Sequence, residues 1–312
     1  MPNKISIIGA GNVGATAAQC CLFKNLGSVV LLDAVENIAK GKALDLSQAA
    51  ALHKHRFPVK GTADYADTAG SNVVIITAGR ARRPGMTRSD LLNSNASIVK
   101  DVTRAVAEHS PEATLIIVTN PLDVMCYVAW KASGLPHHRI VGMSGLLDSS
   151  RLRHYIAEAI GAAPHTVEGL VLGEHGDSMA VLTRLATVGG VPVTKLLGPE
   201  KLAEIRYRTA HGGGEVVDLL GYSAYYAPGI AIAEMTEAIL DGSHATYPCS
   251  VYLTGQYGVS GIYMCVPARL GVEGVEDVIE LELTDNEKNQ VATTARNIRE
   301  LLALLPEEAS RA

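Results

Sequence analysis

Arg80, Arg82, Arg83 and Arg88 fall within nine residues, Arg-Ala-Arg-Arg-Pro-Gly-Met-Thr-Arg, in a chain whose formal net charge is −5. Pro84 and Gly85 break regular structure, so these cations belong on a loop. A guanidinium grips a planar anion through paired hydrogen bonds. Such a loop can therefore be a nucleic-acid patch, a solvated surface, or a clamp for a small anion. Two further groups can do chemistry. Asp148 and Arg151 stand three residues apart, which on a helix puts a carboxylate and a guanidinium on one face. His175 sits in Gly173-Glu174-His175-Gly176-Asp177-Ser178, where flanking glycines let backbone and substrate come close.

The elements that must position these groups follow from the apolar pattern. Short runs of Val, Ile and Leu at 4–8, 29–32, 73–77, 115–119 and 140–141 read as strands buried on both faces. They alternate with stretches of helical period at 15–25, 38–52, 89–108 and 124–133. That alternation predicts a parallel sheet built from right-handed crossovers, with ligands beyond the carboxyl ends of its strands. The glycine-rich turn after the first strand, Asp33, the arginine loop and Asn120 all follow strand ends, so they are expected along one edge. After Asp148 the pattern changes. Helices are expected at 149–160, 199–220, 225–240 and after Thr284, where Glu287 completes a capping box. Antiparallel strands are expected within 167–193 and at 250–253, 262–266 and 278–283. The fold class is α/β, a Rossmann-type doubly wound parallel sheet over residues 1–145 with a second, α+β substrate domain over 146–312.

Composition narrows the setting. The 312 residues are 47% hydrophobic and 19% charged, ordinary for a globular chain. The negative net charge gives no general attraction to nucleic acid or anionic membrane. No apolar run approaches the roughly 18 residues that span a bilayer, and no leader is expected because a strand begins almost at once. Five scattered cysteines without a Cys-x-x-Cys read as buried thiols in a reducing cytoplasm. His53, His55 and the pair His137-His138 lack Cys or carboxylate partners at ligand spacing, so no metal is expected.

The first chemical site is Gly9-Ala10-Gly11-Asn12-Val13-Gly14, with a buried strand before it, a helix after it and Asp33 nineteen residues beyond Gly14. Gly9 permits the tight turn, Gly11 lets a pyrophosphate approach the backbone, and Gly14 lets helix and strand pack closely. The helix N-terminus offers N–H donors and partial positive charge to phosphates. Asp33 can accept both ribose hydroxyls and would repel a 2′-phosphate, and Ala34-Val35-Glu36 supplies no arginine. The expected cofactor is NAD, not NADP.

With these pieces in place, almost the whole chain resembles the lactate/malate dehydrogenase family. The resemblance rests on the glycine turn, Asp33, Arg-Arg-Pro-Gly-Met-Thr-Arg at 82–88, Thr-Asn-Pro-Leu-Asp at 119–123, Leu-Asp-Ser-Ser-Arg at 147–151 and Gly-Glu-His-Gly-Asp-Ser at 173–178. Ser-Ala-Tyr-Tyr-Ala-Pro at 223–228 and Cys-Val-Pro at 265–267 fall where the family has similar runs. It implies that His175 accepts the alcohol proton, a task suited to a reference pKa of about 6.5. It implies that Asp148 orients His175, that Arg151 grips a substrate carboxylate and that Arg88 polarises the carbonyl. Asn120 would meet substrate or the nicotinamide end, and Asn95, Val118 and Thr119 would join the cofactor site. Arg80 and Arg83 are left as solvated charges. The family's assemblies imply a homo-oligomer, a tetramer before a dimer, and its chemistry implies a place in the tricarboxylic acid cycle.

Substrate choice turns on Arg82. The lactate-type branch has a neutral residue there, usually glutamine, and the malate-type branch arginine. An arginine buried beside substrate without an anion is costly, and oxaloacetate brings a second carboxylate where pyruvate brings a methyl group. Malate/oxaloacetate is the expected pair. Glu174 departs from this pattern, because malate-type relatives often carry glycine before the histidine. The competing readings are a lactate dehydrogenase, a non-catalytic NAD-binding sensor or scaffold, and nucleic-acid binding through the arginine loop, which lacks aromatic stacking partners.

Overall fold

The computed structural model describes residues 2–80 and 88–306, Arg88 by its backbone only. The first half runs Lys4–Ile8 (β1), Asn12–Phe23 (α1), Ser28–Leu32 (β2), Glu36–Leu52 (α2), Val59–Thr62 (β3), Val73–Ile76 (β4), Arg88–His109 (α3), Thr114–Ile117 (β5), Leu122–Ser133 (α4) and Ile140–Gly142 (β6). Its six strands are parallel in the order β3-β2-β1-β4-β5-β6. Chain order reverses between β1 and β4, the switch point where open α/β sheets bind ligands.

The continuous apolar runs have a simple cause. Ile5, Ile7, Val29, Leu31, Val73 and Ile75 face one core, and Ile8, Leu32, Val74, Ile76, Leu115 and Ile117 face the other. With both faces covered, both sides of each strand are mostly apolar; Ser6 in β1 is buried with its hydroxyl bonded to that of Ser71.

The second half runs Gly145–Ile160 (α5), Val167–Glu168 (β7), Val171–Leu172 (β8), Ala180–Val181 (β9), Thr187–Val188 (β10), Val191–Pro192 (β11), Pro199–Leu220 (α6), Tyr226–Asp241 (α7), Thr246–Thr254 (β12), Ser260–Gly271 (β13), Gly274–Val278 (β14) and Asp285–Ala303 (α8). Strands β12, β13 and β14 form an antiparallel meander, and β12 pairs with β6 through Ser250 and Gly142. The central sheet therefore has nine strands and crosses from one half of the chain into the other. Packing joins the halves again where α7 lies on α1.

Two sequence expectations need correction. The strand expected at 278–283 ends at Val278 and lies over Gly274–Val278 instead. Leu281 and Leu283 alternate because they pack on the core, but β13 already has β12 and β14 beside it and offers them no ladder. Strand β3 was not anticipated. It is an edge strand interrupted by Gly61, where a Cβ would lie 2.3 Å from the Ala39 carbonyl oxygen of α2. The capping box of α8 is present, with Thr284 and Glu287 bonding each other's backbone N–H. All five cysteines are free thiols. Among the described residues no helix is long and apolar enough to cross a membrane, and no group of three or more His, Cys, Asp or Glu gathers as a metal site.

Candidate active site

The glycine turn joins β1 to α1 at the switch point. Gly9 has φ +109°, and a Cβ there would meet the Thr77 hydroxyl at 2.7 Å and the Ala78 nitrogen at 2.8 Å. At Gly14 a Cβ would stand 2.0 Å from the Gly9 carbonyl oxygen, so any side chain would push α1 off the strand. Gly11 differs: nothing lies within 4 Å of its added Cβ. It is the N-cap of α1, with no side-chain cap and no acidic residue in the first turn. This open, donor-rich helix end fits a pyrophosphate, and Asn12 and Val13 begin the helix beside it.

Asp33 follows β2. Its Oδ2 accepts from the Ala10 N–H at 2.8 Å and its Oδ1 from the Val35 N–H at 2.9 Å. The carboxylate thus ties the glycine turn to the end of β2, with lone pairs left over for ribose hydroxyls. Along the same edge Thr119 donates to the Ala78 carbonyl at 2.7 Å. Asn95 on α3 is 1% exposed. It accepts from the Arg80 N–H at 2.8 Å and donates to the Arg80 and Asn120 carbonyls at 3.2 and 2.8 Å. It is a brace between two loops, with its amide used on backbone. Val118 is half-buried and Asn120 exposed at the end of β5.

Asp148 lies in the first turn of α5, which begins four residues earlier than the sequence pattern suggested. It is 1% exposed. Its Oδ1 accepts from Arg151 Nη1 at 2.8 Å and its Oδ2 from His175 Nδ1 at 2.7 Å. A carboxylate can only accept, so Nδ1 carries the hydrogen and Nε2 is the basic nitrogen. Burial disfavours the imidazolium, but the charge and hydrogen bond of Asp148 outweigh it, and His175 is held above its usual 6.5. Helix α6 passes Arg151 at Gly212 and Gly213, and a Cβ at Gly213 would come within 3.4 Å of the guanidinium. Glu174 accepts from the Ser178 hydroxyl at 2.5 Å and so closes the turn that carries His175.

The structure thus brings His175, Asp148 and Arg151 together. Arg82 and Arg83 lie outside the described residues, as does the side chain of Arg88. One residue of the 119–123 motif had no role in the sequence reading: Asp123 in the first turn of α4, 3% exposed, accepts from the His175 N–H at 3.0 Å and from the Ser250 hydroxyl at 2.6 Å. Its signal was an acid inside the apolar run Leu122-Asp123-Val124-Met125-Cys126, where a charge must have a buried task.

A doubly wound sheet with a bare glycine turn at its switch point, and a carboxylate-backed imidazole within the same chain, define the class of dinucleotide-dependent dehydrogenases. The comparisons narrow the class. The model of the lactate/malate dehydrogenase NAD-binding domain matches residues 3–142, and that of the lactate/malate dehydrogenase alpha/beta C-terminal domain matches 146–308. A malate dehydrogenase of Desulforudis audaxviator is 50% identical over 96% of this chain and 97% of its own. The crystal structure of Cryptosporidium parvum malate dehydrogenase has TM-score 0.94 and 42% identity over 97% of this chain and 98% of that one. The lactate dehydrogenase of the same organism, solved with lactic acid and NAD, has TM-score 0.94 and 41% identity over the same shares. The chain belongs to the lactate/malate dehydrogenase family, and its N-terminal half is that family's NAD-binding domain.

Proposed function

We propose that this chain is an NAD-dependent malate dehydrogenase, interconverting (S)-malate and oxaloacetate. The observation that carries the reading is Asp148, which holds His175 on one oxygen and Arg151 on the other, each within 2.8 Å. NAD, when bound, supplies the hydride acceptor. Gly9, Ala10, Gly11, Asn12, Val13, Gly14 and Asp33 would hold its adenosine and phosphates, and Asn95, Val118, Thr119 and Asn120 would shape its nicotinamide end. Residues 1–145 would thus serve the cofactor and 146–312 the substrate.

In malate oxidation the hydroxyl proton passes to Nε2 of His175 as the carbon-bound hydrogen leaves with its electron pair. Asp148 keeps the ring in the tautomer that can accept and stabilises the imidazolium that results. Arg151 spends one N–H on Asp148, and its planar fork keeps further donors for the carboxylate next to the reacting carbon. Arg88 polarises the carbonyl. Arg82 would pair with the far carboxylate.

Malate is favoured over lactate by Arg82 and by the names of the curated relatives at about half identity. Lactate dehydrogenases of Cryptosporidium parvum and Eimeria maxima are also among the structural neighbours, at 41% and 40% identity. A paired assay decides: NADH absorbance is followed with oxaloacetate and with pyruvate. Arg82→Gln should lower oxaloacetate reduction by about 100-fold or more, the effect of unpairing a buried charge, and raise pyruvate reduction. Equal rates on both acids in the parent would remove the malate reading. NADH binding without turnover of either acid would leave a sensor.

We place the enzyme in the cytoplasm and the tricarboxylic acid cycle, and as a homotetramer. The apolar side chains that α2 exposes at Ile38, Leu44 and Leu52, and that α6 and α7 expose at Leu219, Leu220, Tyr226 and Ile230, support self-association.

A further inference from the structure

Asp123 is a buried carboxylate with no cation on it. Its oxygens accept from two neutral donors, the His175 N–H at 3.0 Å and the Ser250 hydroxyl at 2.6 Å, on partners 52 and 127 residues away. An ionised carboxylate in such a place is costly unless the surroundings use its charge. The groups facing His175 show what could use it. From α5 come Asp148 and Arg151, which bond each other and largely cancel. Around Asp123, α4 and β13 contribute Cys126 and Cys265, and β12 contributes Cys249 beside them. Burial pushes Cys249 up to about 12 and the other two well above the usual thiol range, so all three stay neutral. From its own loop comes Glu174, bonded to Ser178. Among these described groups Asp123 and Glu174 are carboxylates without a cation beside them, and of the two it is Asp123 that bonds the His175 backbone.

We propose that Asp123 is a positioning residue for the proton relay: it pins the backbone of His175 to the central sheet through Ser250, and its carboxylate is a second counter-charge for the imidazolium. This rests on the reading of His175 as proton acceptor. Burial lifts Asp123 to about 6, with the Ser250 and His175 hydrogen bonds and the His175 charge opposing. His175 is raised from 6.5. The two act on each other through charge, so a proton gained by His175 favours loss of one from Asp123.

The test is the pH profile of kcat/KM for malate oxidation. Asp123→Asn can keep both contacts, its amide oxygen accepting from His175 and its NH2 meeting the Ser250 oxygen, while deleting the charge. Its acid limb should move to lower pH by about half to one unit, with KM for malate within about twofold of the parent and kcat within about tenfold. Asp123→Leu, which has no acceptor, should lose about 100-fold in kcat with NADH binding retained. Ser250→Ala removes the donor that favours ionised Asp123 and should move the limb the same way by less; it serves if the Asn protein does not fold. An unmoved limb in the Asn variant, or in Ser250→Ala where that variant stands in, would overturn the counter-charge. Equal kcat in the Asn and Leu variants would overturn the tether. His175→Asn separates the two readings. If it keeps the parent's activity and limb, the role of His175 fails; if it loses them while Asp123→Asn leaves the limb in place, only this inference fails.

Discussion

At the glycine turn, shape is set by missing atoms. Gly9 and Gly14 leave room for backbone, Gly11 leaves room for a ligand, and the parts come from the ends of neighbouring strands β1 and β2. At His175, shape is set by added charge. Asp148, Arg151, Asp123 and Ser250 come from α5, α4 and β12, and their carboxylates are almost fully buried. The first arrangement has no room for a methyl group at Gly9 or Gly14. The second tolerates changes of size better than changes of charge or proton count, because in a low-dielectric site an unmatched charge costs several kcal/mol. The phosphates and adenosine of a dinucleotide, which do not react, need a fitted groove, whereas a proton that moves needs a field.

That contrast can be broken in four places, from the largest effect to the smallest. His175→Gln should lower kcat by about 1000-fold with NADH affinity retained. Asp148→Asn should lower it by about 100-fold and also move the pH profile. The sign follows from the protonation needed. On the proposed relay, malate oxidation needs neutral His175, so its rate should rise with pH through the value that Asp148 raises above 6.5, and oxaloacetate reduction, which needs the imidazolium, should fall there. Without the Asp148 charge both limbs should shift to lower pH. Unshifted limbs would mean that charge does not govern this corner.

Gly14→Ala comes next. Its methyl group would stand 2.0 Å from the Gly9 carbonyl oxygen, and the overpacking should cost about 2–3 kcal/mol of stability, read from a denaturant midpoint. Gly11→Ala is the mildest. With no atom within 4 Å of the new Cβ, stability should change by less than about 1 kcal/mol, while NAD affinity measured by titration should fall about tenfold, about 1.4 kcal/mol. If Gly11→Ala lost stability and kept affinity, the open face would be a packing feature and the contrast would fail.

The cofactor side was the more legible in the sequence, for a physical reason. A strand buried on both faces is apolar throughout, and a turn that must exclude side chains is glycine, so β1 and the glycine turn are written in adjacent residues. Helix α6 was likewise bounded by local signals, Pro199 at its start and Gly221 at its left-handed end. Legibility dropped where pairing decided the outcome. Residues 279–283 alternate like a strand yet have no free edge to join, and β3 is a strand with little apolar pattern that α2 and β2 hold in place.

The chain's order of residues therefore determined the doubly wound half, the dinucleotide turn, the acid at Asp33 and the residue types at 148, 151 and 175, because each is a local requirement of backbone, helix face or chemistry. Only the tertiary structure decided that β12 extends the parallel sheet past β6, that Asn95 is spent bracing two loops, and that Asp123 lies beneath His175. Those outcomes depend on which distant groups share a buried space. A carboxylate 52 residues before a histidine carries no mark of that neighbour until folding removes the water between them.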